Sequence, residues 1–216
     1  LQRFQSYQLE GQIQFITFHQ SFSYEDFIEG IKPQTTENQQ VIYSIENGIF
    51  KNIAEKATNH PHKDRYVLII DEINRGNVAA IFGELITLIE PEKRIGSQEM
   101  VTIQLPYSKV DFAVPPNLYL IGTMNTADRN TEILDNALRR RFDFIEKCPA
   151  PSLLPTVETV DLAKLLTTIN QRIEILLDRD HLIGHAYLMK IKNISDLQQV
   201  FDTKIIPLLQ EYFYND

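Results

Sequence analysis

The chain has 216 residues, of which 43% are hydrophobic, and a formal net charge of −8. This length suffices for one domain of ordinary size with a small appendage, and the acidic balance argues against a broad nucleic-acid surface, which needs clustered Lys and Arg. The single cysteine, Cys148, excludes an internal disulfide and is typical of a reducing compartment. Since no apolar run approaches the roughly 20 residues of a membrane span, we expect a cytoplasmic protein without a membrane partner.

Three short apolar segments are predicted to be parallel β-strands. They are IQFITF at 13–18, YVLII at 66–70 and LYLIGT at 118–123. Continuous apolar runs are typical of strands that are covered on both faces, and the long separations between the runs leave room for helical crossovers. A helix is predicted over 77–90, with Asn77 as its N-cap and apolar residues at helical spacing. The pattern predicts an α/β fold.

The pattern of apolar residues changes from strand-like to helical near the proline-rich segment CPAPSLLP. Beyond it, one helix is predicted over 160–177 and another over 195–213, which is expected to kink or end near Pro207. The apolar face of the first of these helices is predicted to hold five residues: Leu162, Leu165, Ile169, Ile173 and Leu176. We therefore expect two domains, an α/β core over 1–149 and a helical domain over 150–216.

Two adjacent carboxylates, Asp71 and Glu72, follow the second predicted strand directly. Ligands of open parallel sheets bind beyond the carboxyl ends of the strands, so we expect this pair in a site. One carboxylate suits Mg²⁺, which takes oxygen ligands and bridges to phosphates, while its neighbour can deprotonate an attacking water. Asn125 is expected at the same edge, where its amide can hold a water or a phosphate oxygen. The alternative is a solvated acidic turn.

Three consecutive arginines, 139–141, close a helix predicted over 134–144. Consecutive helical positions point about 100° apart, so the three side chains cannot serve one ligand. Arginine is suited to bidentate phosphate contacts and to the role of an arginine finger. Without the other motifs, a complement to the negative end of the helix dipole would explain the cluster equally well.

Four motifs together carry a resemblance to a known family. They are ITFHQSFSYEDFIEGIKP, LIIDEINRGNVAAIFGELITLIE, GTMNTADR and LDNALRRRFDF, in this order, across nearly the whole chain. They resemble the AAA+ domain of the McrB family, the motor of modification-dependent restriction systems that hydrolyses nucleoside triphosphates. The resemblance implies a parallel sheet of the P-loop NTPase type with flanking helices, followed by a small C-terminal helical lid.

The resemblance also implies roles for individual residues. Asp71 would be the Walker B carboxylate on the Mg²⁺ side, Glu72 the catalytic glutamate and Asn125 the sensor-1 residue. Arg140 would be the finger inserted into the site of a neighbouring subunit, with Arg141 as the second choice. Nucleotide or subunit-interface contacts are implied for three further residues of the signature segments: Asn74, Asp128 and Arg129.

A phosphate loop of the form G-x-x-x-x-G-K-[ST] does not occur in the sequence. In the family it lies upstream of the segment that aligns with residues 1–10, together with a central strand of the sheet. We therefore expect either a fragment of a larger protein or a subunit without its own phosphate cradle, and the missing initiator methionine favours the fragment. This chain by itself is expected to bind nucleotide weakly or not at all, because the cradle of backbone N–H groups and its lysine are missing.

The sequence thus predicts a nucleoside triphosphatase module that uses ATP or GTP with Mg²⁺. The expected partners are further copies in a homo-oligomeric ring, a hexamer, and a McrC-like nuclease subunit, with DNA reached through the assembly. The rival is a non-hydrolysing subunit that completes a neighbour's site, but such a relic has no chemical reason to keep Asp71, Glu72 and Asn125 together. A free-standing DNA-binding domain conflicts with the acidic balance.

His181 and His185 are candidates to lie near the nucleotide, although a structural role is favoured for both.

Overall fold

The computed structural model describes residues 2–35, 38–60, 65–127 and 136–214. The chain folds as two compact units, Leu1–Asp143 and Phe144–Asp216. The domain boundary predicted after residue 149 lies close to this division and stays a prediction. Among the described residues, every helix is too short or too polar to cross a lipid bilayer.

The first unit contains both helices and strands. Its helices are α1 Gln2–Leu9, α2 Tyr24–Phe27, α3 Ile49–Asn59, α4 Val78–Phe82 and α5 Asn136–Arg139. Its strands are β1 Ile13–Thr17, β2 Glu29–Thr35, β3 Val41–Asn47, β4 Tyr66–Asp71, β5 Ile103–Gln104, β6 Asp111–Phe112 and β7 Leu118–Gly122. Because β1, β4 and β7 fall on the three apolar runs, the strand predictions are confirmed.

The central sheet has the order β1-β4-β7, and both pairings are parallel. Parallel pairing requires crossovers, which pass through α2 and α3 between β1 and β4 and through α4 between β4 and β7. The predicted α/β class is therefore confirmed. The middle strand, β4, brings its carboxyl end between those of its neighbours.

One face of this sheet is packed against the core and the other is half open among the described residues. Leu68 and Ile70 are fully buried on the packed face, whereas Phe15 and Ile121 on the opposite face are 52% and 50% exposed. The register aligns Phe15 with Ile69 and Ile69 with Ile121, so the exposed side chains share that face. The prediction that both faces would be covered is wrong for the described part of the chain.

Aromatic side chains fill the core on the packed face. Phe27 of α2 stacks on Phe50 of α3, with ring centroids 5.1 Å apart, and lies 4.8 Å from the ring of Phe82 of α4. All three rings are fully buried. Burying large aromatic surfaces in close ring contact is a strong source of stability, so this cluster holds the helices against β4.

Two antiparallel hairpins interrupt the parallel sheet pattern. The pairing of β5 with β6 lies within the stretch between α4 and β7, and the pairing of β2 with β3 lies between α2 and α3. Five large apolar residues of the longer hairpin are exposed: Ile31, Val41, Ile42, Tyr43 and Ile45. The sequence prediction of helical crossovers missed the β2–β3 hairpin, because its strands alternate only weakly between polar and apolar residues.

The helix predicted over 77–90 is shorter than expected. Asn77 caps α4 as predicted, since its Oδ1 accepts a hydrogen bond from the Ala80 N–H at 3.0 Å. The α-helix ends at Phe82, and a 3-10 helix continues over Gly83–Thr87. Gly83 has φ 51° and ψ −132°, a conformation that breaks a right-handed helix and that glycine adopts readily. The apolar residues beyond it, Leu85 and Leu88, are nevertheless buried as the spacing predicted.

The second unit is mainly helical, as predicted. It contains two short strands, β8 Thr156–Val157 and β9 Val160–Asp161, and the helices α6 Leu162–Leu176, α7 Ile194–Val200 and α8 Ile206–Tyr212. On α6, Leu162, Leu166 and Ile173 are buried, and Leu165 and Ile169 pack beside them. Leu176 was predicted on this face but is mostly exposed, because it lies in the last turn, beyond the packed part of the helix.

The predicted break near Pro207 takes the form of a π-helical segment. Phe201–Ile205 is π-helical between α7 and α8, and Pro207 lies in the first turn of α8. Proline has no N–H to donate to the preceding turn and clashes with its carbonyl. A local widening of the helix accommodates this defect, so helical structure continues past the proline instead of ending there.

Candidate functional site

The carboxyl ends of β4 and β7 bring the predicted acidic and amide residues to one edge of the sheet. In the register, Asp71 lies opposite Thr17 of β1, and Ile70 lies opposite Gly122 of β7. The segments that follow β4 and β7 therefore leave the sheet side by side. This edge is where open parallel sheets bind their ligands.

Asp71, the last residue of β4, is held by a hydroxyl from the neighbouring segment. Thr123 Oγ1 donates a hydrogen bond to Asp71 Oδ1 at 2.5 Å. Hydrogen bonds to an ionised carboxylate are short and stronger than those between neutral groups. This contact restricts the orientation of the carboxylate, and Asp71 remains partly accessible.

Glu72 adopts a left-handed backbone conformation, with φ 53° and ψ 45°. A residue other than glycine costs about 1–3 kcal/mol in such a conformation, which persists only where surrounding contacts enforce it. Here the contacts come from Thr123, whose Oγ1 accepts from the Glu72 N–H at 3.3 Å and whose carbonyl accepts from the Ile73 N–H at 2.9 Å. Backbone strain of this kind concentrates at functional sites.

The Glu72 carboxylate retains an unused acceptor. Arg75 Nε lies 3.2 Å from Glu72 Oε2, which makes an ionic contact. That contact does not have hydrogen-bond geometry, and Oε2 is buried without a hydrogen-bond partner among the described residues. An unsatisfied buried carboxylate oxygen is costly, so this atom is well placed to accept a bond from a ligand or a water.

Asn74 and Asn125 are brought together, but by a backbone bond rather than through both side chains. Asn74 is buried, and its Nδ2 donates to the carbonyl of Asn125 at 3.1 Å. The Oδ1 of Asn74 is buried without a hydrogen-bond partner within the described ranges. Asn125 is exposed, and its Oδ1 accepts from the Ala127 N–H at 3.2 Å. Its amide oxygen is thereby engaged in its own loop.

The two candidate finger arginines have different environments. Arg140 follows α5 and is exposed, and its side chain has no ion pair or hydrogen bond to the described residues. Arg141 is only 17% exposed in its side chain, and its Nε lies 2.7 Å from Glu90 Oε1. The prediction of a helix over 134–144 is wrong at its end: α5 stops at Arg139, and the Arg141 N–H closes a turn onto the Leu138 carbonyl at 2.9 Å. The start of the predicted helix lies in 128–135, outside the described residues. Asp128 and Arg129, predicted to contact nucleotide or a neighbouring subunit, lie in that range.

The donor set at this edge fits Mg²⁺ with few protein ligands. Asp71 supplies one hard carboxylate, and no group of three or more metal-binding side chains occurs in the part of the chain that the structure describes. Mg²⁺ keeps several waters and commonly takes one or two carboxylates together with phosphate oxygens. Asp71 is thus the residue that would hold it, and the nucleotide would supply further oxygens.

Both candidate histidines have partners within the second unit. His181 Nδ1 lies 2.6 Å from Asp178 Oδ1, and this hydrogen bond holds the pKa of Asp178 below its ordinary value. His185 Nδ1 accepts from the Ala150 N–H at 3.0 Å. These contacts support the structural interpretation of both side chains.

Thr123 and Arg75 were not singled out in the sequence, although both contact the acidic pair. A signal for Thr123 was present, because it is the polar residue at the end of the third predicted strand, at the same edge as Asp71. Arg75 stands three residues after Glu72, the spacing at which helical neighbours meet. Neither position reveals its partner without knowledge of how the strands are ordered.

Comparison with known proteins is consistent with this architecture. Residues 2–142 match the family model for an AAA domain of the dynein-related subfamily, and residues 161–216 match the model for the α-helical lid domain of McrB. The candidate ATPase of Cytophaga hutchinsonii, a solved structure, is 14% identical with a TM-score of 0.35, and the match covers 88% of this chain and 44% of that one. An overlap of that extent does not identify a shared fold.

Two relatives belong to restriction systems. The EcoKMcrB subunit of the Type IV methyl-directed restriction enzyme of Escherichia coli K12 is 37% identical over 232 aligned positions, which cover 94% of this chain and 48% of that protein. The YdiS component of the Type II restriction enzyme BsuMI of Bacillus subtilis 168 is 27% identical, and the match covers 88% of this chain and 59% of that protein. This chain thus spans about half the length of the first relative and somewhat more of the second. The chain, an α/β AAA domain followed by a helical lid, belongs to the McrB family of AAA+ proteins.

Proposed function

We propose that this chain is the nucleoside triphosphatase module of a McrB-like restriction system. The observation that carries the proposal is the acidic pair at the end of β4: Asp71 is oriented by Thr123, while Glu72 has a strained backbone and a carboxylate oxygen without a hydrogen-bond partner in the described part of the chain. The proposed substrate is ATP or GTP.

The proposed roles follow from what each side chain can do. Asp71 binds Mg²⁺, which would neutralise charge on the phosphate oxygens. Glu72 accepts the proton of the attacking water through Oε2, which has an ionic contact with Arg75 but no hydrogen-bond partner among the described residues. Asn125 still has an amide N–H₂ group to donate, since only its oxygen is engaged in its own loop. Asn74 supports this arrangement by holding the carbonyl of Asn125.

The proposed assembly is a homo-oligomeric ring, a hexamer, in which one subunit's arginine completes the next subunit's site. Arg140 is the preferred finger because its side chain is exposed, whereas Arg141 is committed to Glu90. Asp128 and Arg129 are proposed to contact nucleotide or the neighbouring subunit, as the family motifs imply. The restriction-enzyme relatives support a McrC-like nuclease partner and a role on DNA through the assembly.

The test is Glu72→Gln in the complete protein. The change removes the proton acceptor but leaves Asp71 in place, so nucleotide binding should persist while turnover falls by about 10²- to 10⁴-fold, the usual contribution of a general base. Binding is followed by calorimetry and turnover by phosphate release. Unchanged turnover in this variant would exclude Glu72 as the base and would favour a non-hydrolysing subunit that only completes a neighbour's site.

A further inference from the structure

Thr123 makes four hydrogen bonds to four consecutive residues at the end of β4. Its backbone N–H donates to the Ile70 carbonyl at 2.9 Å, and its carbonyl accepts from the Ile73 N–H at 2.9 Å. Its hydroxyl donates to Asp71 Oδ1 at 2.5 Å and accepts from the Glu72 N–H at 3.3 Å. The residue therefore spans the whole turn that carries the acidic pair.

The backbone bonds and the hydroxyl bonds do different work. The two backbone bonds extend the ladder between β4 and β7 and would be made by almost any residue at this position. Only the hydroxyl reaches both acidic residues, because it can donate one hydrogen bond and accept another. Its donation engages Asp71 Oδ1, and its acceptance satisfies the amide of the residue with the strained backbone.

We infer that Thr123 is a positioning residue that orients the Asp71 carboxylate toward the metal and holds Glu72 in its left-handed conformation. The expected effect of Thr123 on turnover rests on the proposed function. The positions of Asp71 and Glu72 in the protein without ligands do not depend on it. With Oδ1 engaged by the hydroxyl, Oδ2 is the oxygen of Asp71 that would be offered to Mg²⁺.

Thr123 is exposed, and this determines how its loss should appear. Water can replace a lost hydrogen bond at an exposed position, so removal of the hydroxyl should leave the fold intact. Water does not impose one orientation on the carboxylate, however. The effect should therefore be found in metal dependence and local backbone opening rather than in global stability.

The matched variants are Thr123→Val, which keeps the branched shape without the hydroxyl, and Thr123→Ser, which keeps the hydroxyl. In the complete protein, Thr123→Val should raise the Mg²⁺ concentration for half-maximal hydrolysis by about 10- to 100-fold, the equivalent of one hydrogen bond to a charged group. Thr123→Ser should restore the wild-type requirement. Thr102→Val, at an exposed threonine directly before β5, is the control for loss of a hydroxyl.

A second measurement is independent of turnover. Hydrogen–deuterium exchange of the peptide covering residues 70–74, without nucleotide or metal, should be faster in Thr123→Val than in the wild type and unchanged in Thr123→Ser. Wild-type exchange in Thr123→Val, or a Thr123→Ser variant as impaired as Thr123→Val, would overturn the positioning role. Failure of the proposed function appears separately, as full turnover in Glu72→Gln.

Discussion

Two sets of charged side chains in the first unit have opposite environments. Glu29 and Lys51 form a buried ion pair, with Nζ 2.7 Å from Oε2. The other carboxylate oxygen of Glu29 accepts from the backbone N–H groups of Tyr107 and Ser108 at 3.1 and 2.8 Å. At the end of β4, by contrast, Glu72 keeps an acceptor without a hydrogen-bond partner within the described residues.

The difference separates charges that stabilise the fold from charges that can still bind a ligand. Burial by itself disfavours ionisation of Glu29, but the hydrogen bonds from Lys51 and Ser108 prevail and hold its pKa below the ordinary value. Both of its oxygens are used inside the protein. A carboxylate whose two oxygens already accept hydrogen bonds binds a further ligand poorly. A carboxylate oxygen without a partner at the edge of a sheet can accept a bond from a ligand. We expect the first kind of charge to control stability and the second to control turnover.

The largest effect, on turnover, is expected from a change at the exposed Arg140. Arg140→Ala in the complete protein should still bind nucleotide, but turnover should fall by about 10³- to 10⁵-fold, the range for arginine fingers in phosphoryl transfer. The physical reason is the loss of a cation beside the charge that develops on the transferred phosphoryl group. Phosphate release measures the effect, and Arg139→Ala is the matched control in the same cluster.

Mixing variants tests whether Arg140 acts on a neighbouring subunit. Arg140→Ala and Glu72→Gln subunits should each be inactive alone. Mixed rings should regain activity at interfaces where an intact glutamate meets an intact arginine. If mixed assemblies stay inactive although both variants assemble, Arg140 acts within its own subunit or serves only the structure.

An intermediate effect is expected when the buried ion pair of Glu29 and Lys51 is broken. Lys51→Met leaves the Glu29 carboxylate buried without its partner and should lower the free energy of unfolding by about 3–5 kcal/mol, the usual cost of breaking a buried pair. Urea titration measures the loss. The double variant Lys51→Met with Glu29→Gln should recover most of it, because the glutamine carbonyl still accepts from Tyr107 and Ser108.

The pH dependence of this pair has a definite sign. The native pKa of Glu29 is lowered, so its contribution to stability is present above the ordinary carboxyl pKa and is lost as the pH falls through the native value. In Lys51→Met, acid neutralises the unpaired carboxylate, so the destabilisation should shrink as the pH falls. A deficit that stays constant at acid pH would show that Lys51 stabilises the core through its aliphatic stem rather than its charge.

The smallest effect is expected from Arg141, whose contact with Glu90 is largely but not fully buried. Arg141→Ala should cost about 1–3 kcal/mol of stability, the range for an unsatisfied partly buried polar group, and should spare turnover. Arg179→Ala removes an exposed contact with Glu146 in the second unit and should leave the unfolding midpoint unchanged. Loss of turnover in Arg141→Ala without loss of stability would move the finger role from Arg140 to Arg141.

Local pattern determined most of what the sequence predicted correctly. Continuous apolar runs mark β1, β4 and β7, although only one face of the sheet is fully packed among the described residues. The Asn77 cap follows from the chemistry of its own neighbours. The same pattern predicted Asp71 and Glu72 at the carboxyl end of a strand, and Asp71 is the last residue of β4. Gly83 shows the limit of local pattern: the apolar spacing continues past it, but the backbone changes from α-helix to 3-10 helix.

Contacts between residues distant in the chain were decided only by the tertiary structure. Thr123 contacts Asp71 and Glu72 from about fifty positions away, and Glu90 contacts Arg141 across a similar separation in sequence. Each contact depends on strand order and on the path of the intervening segments, which no local periodicity encodes. The sequence by itself therefore determined the fold class and the chemical groups of the candidate site. The tertiary structure decided which of those side chains are oriented by a hydrogen bond, which have all their acceptors occupied and which can still bind a ligand. Hydrogen-bond partners are a property of the packed chain.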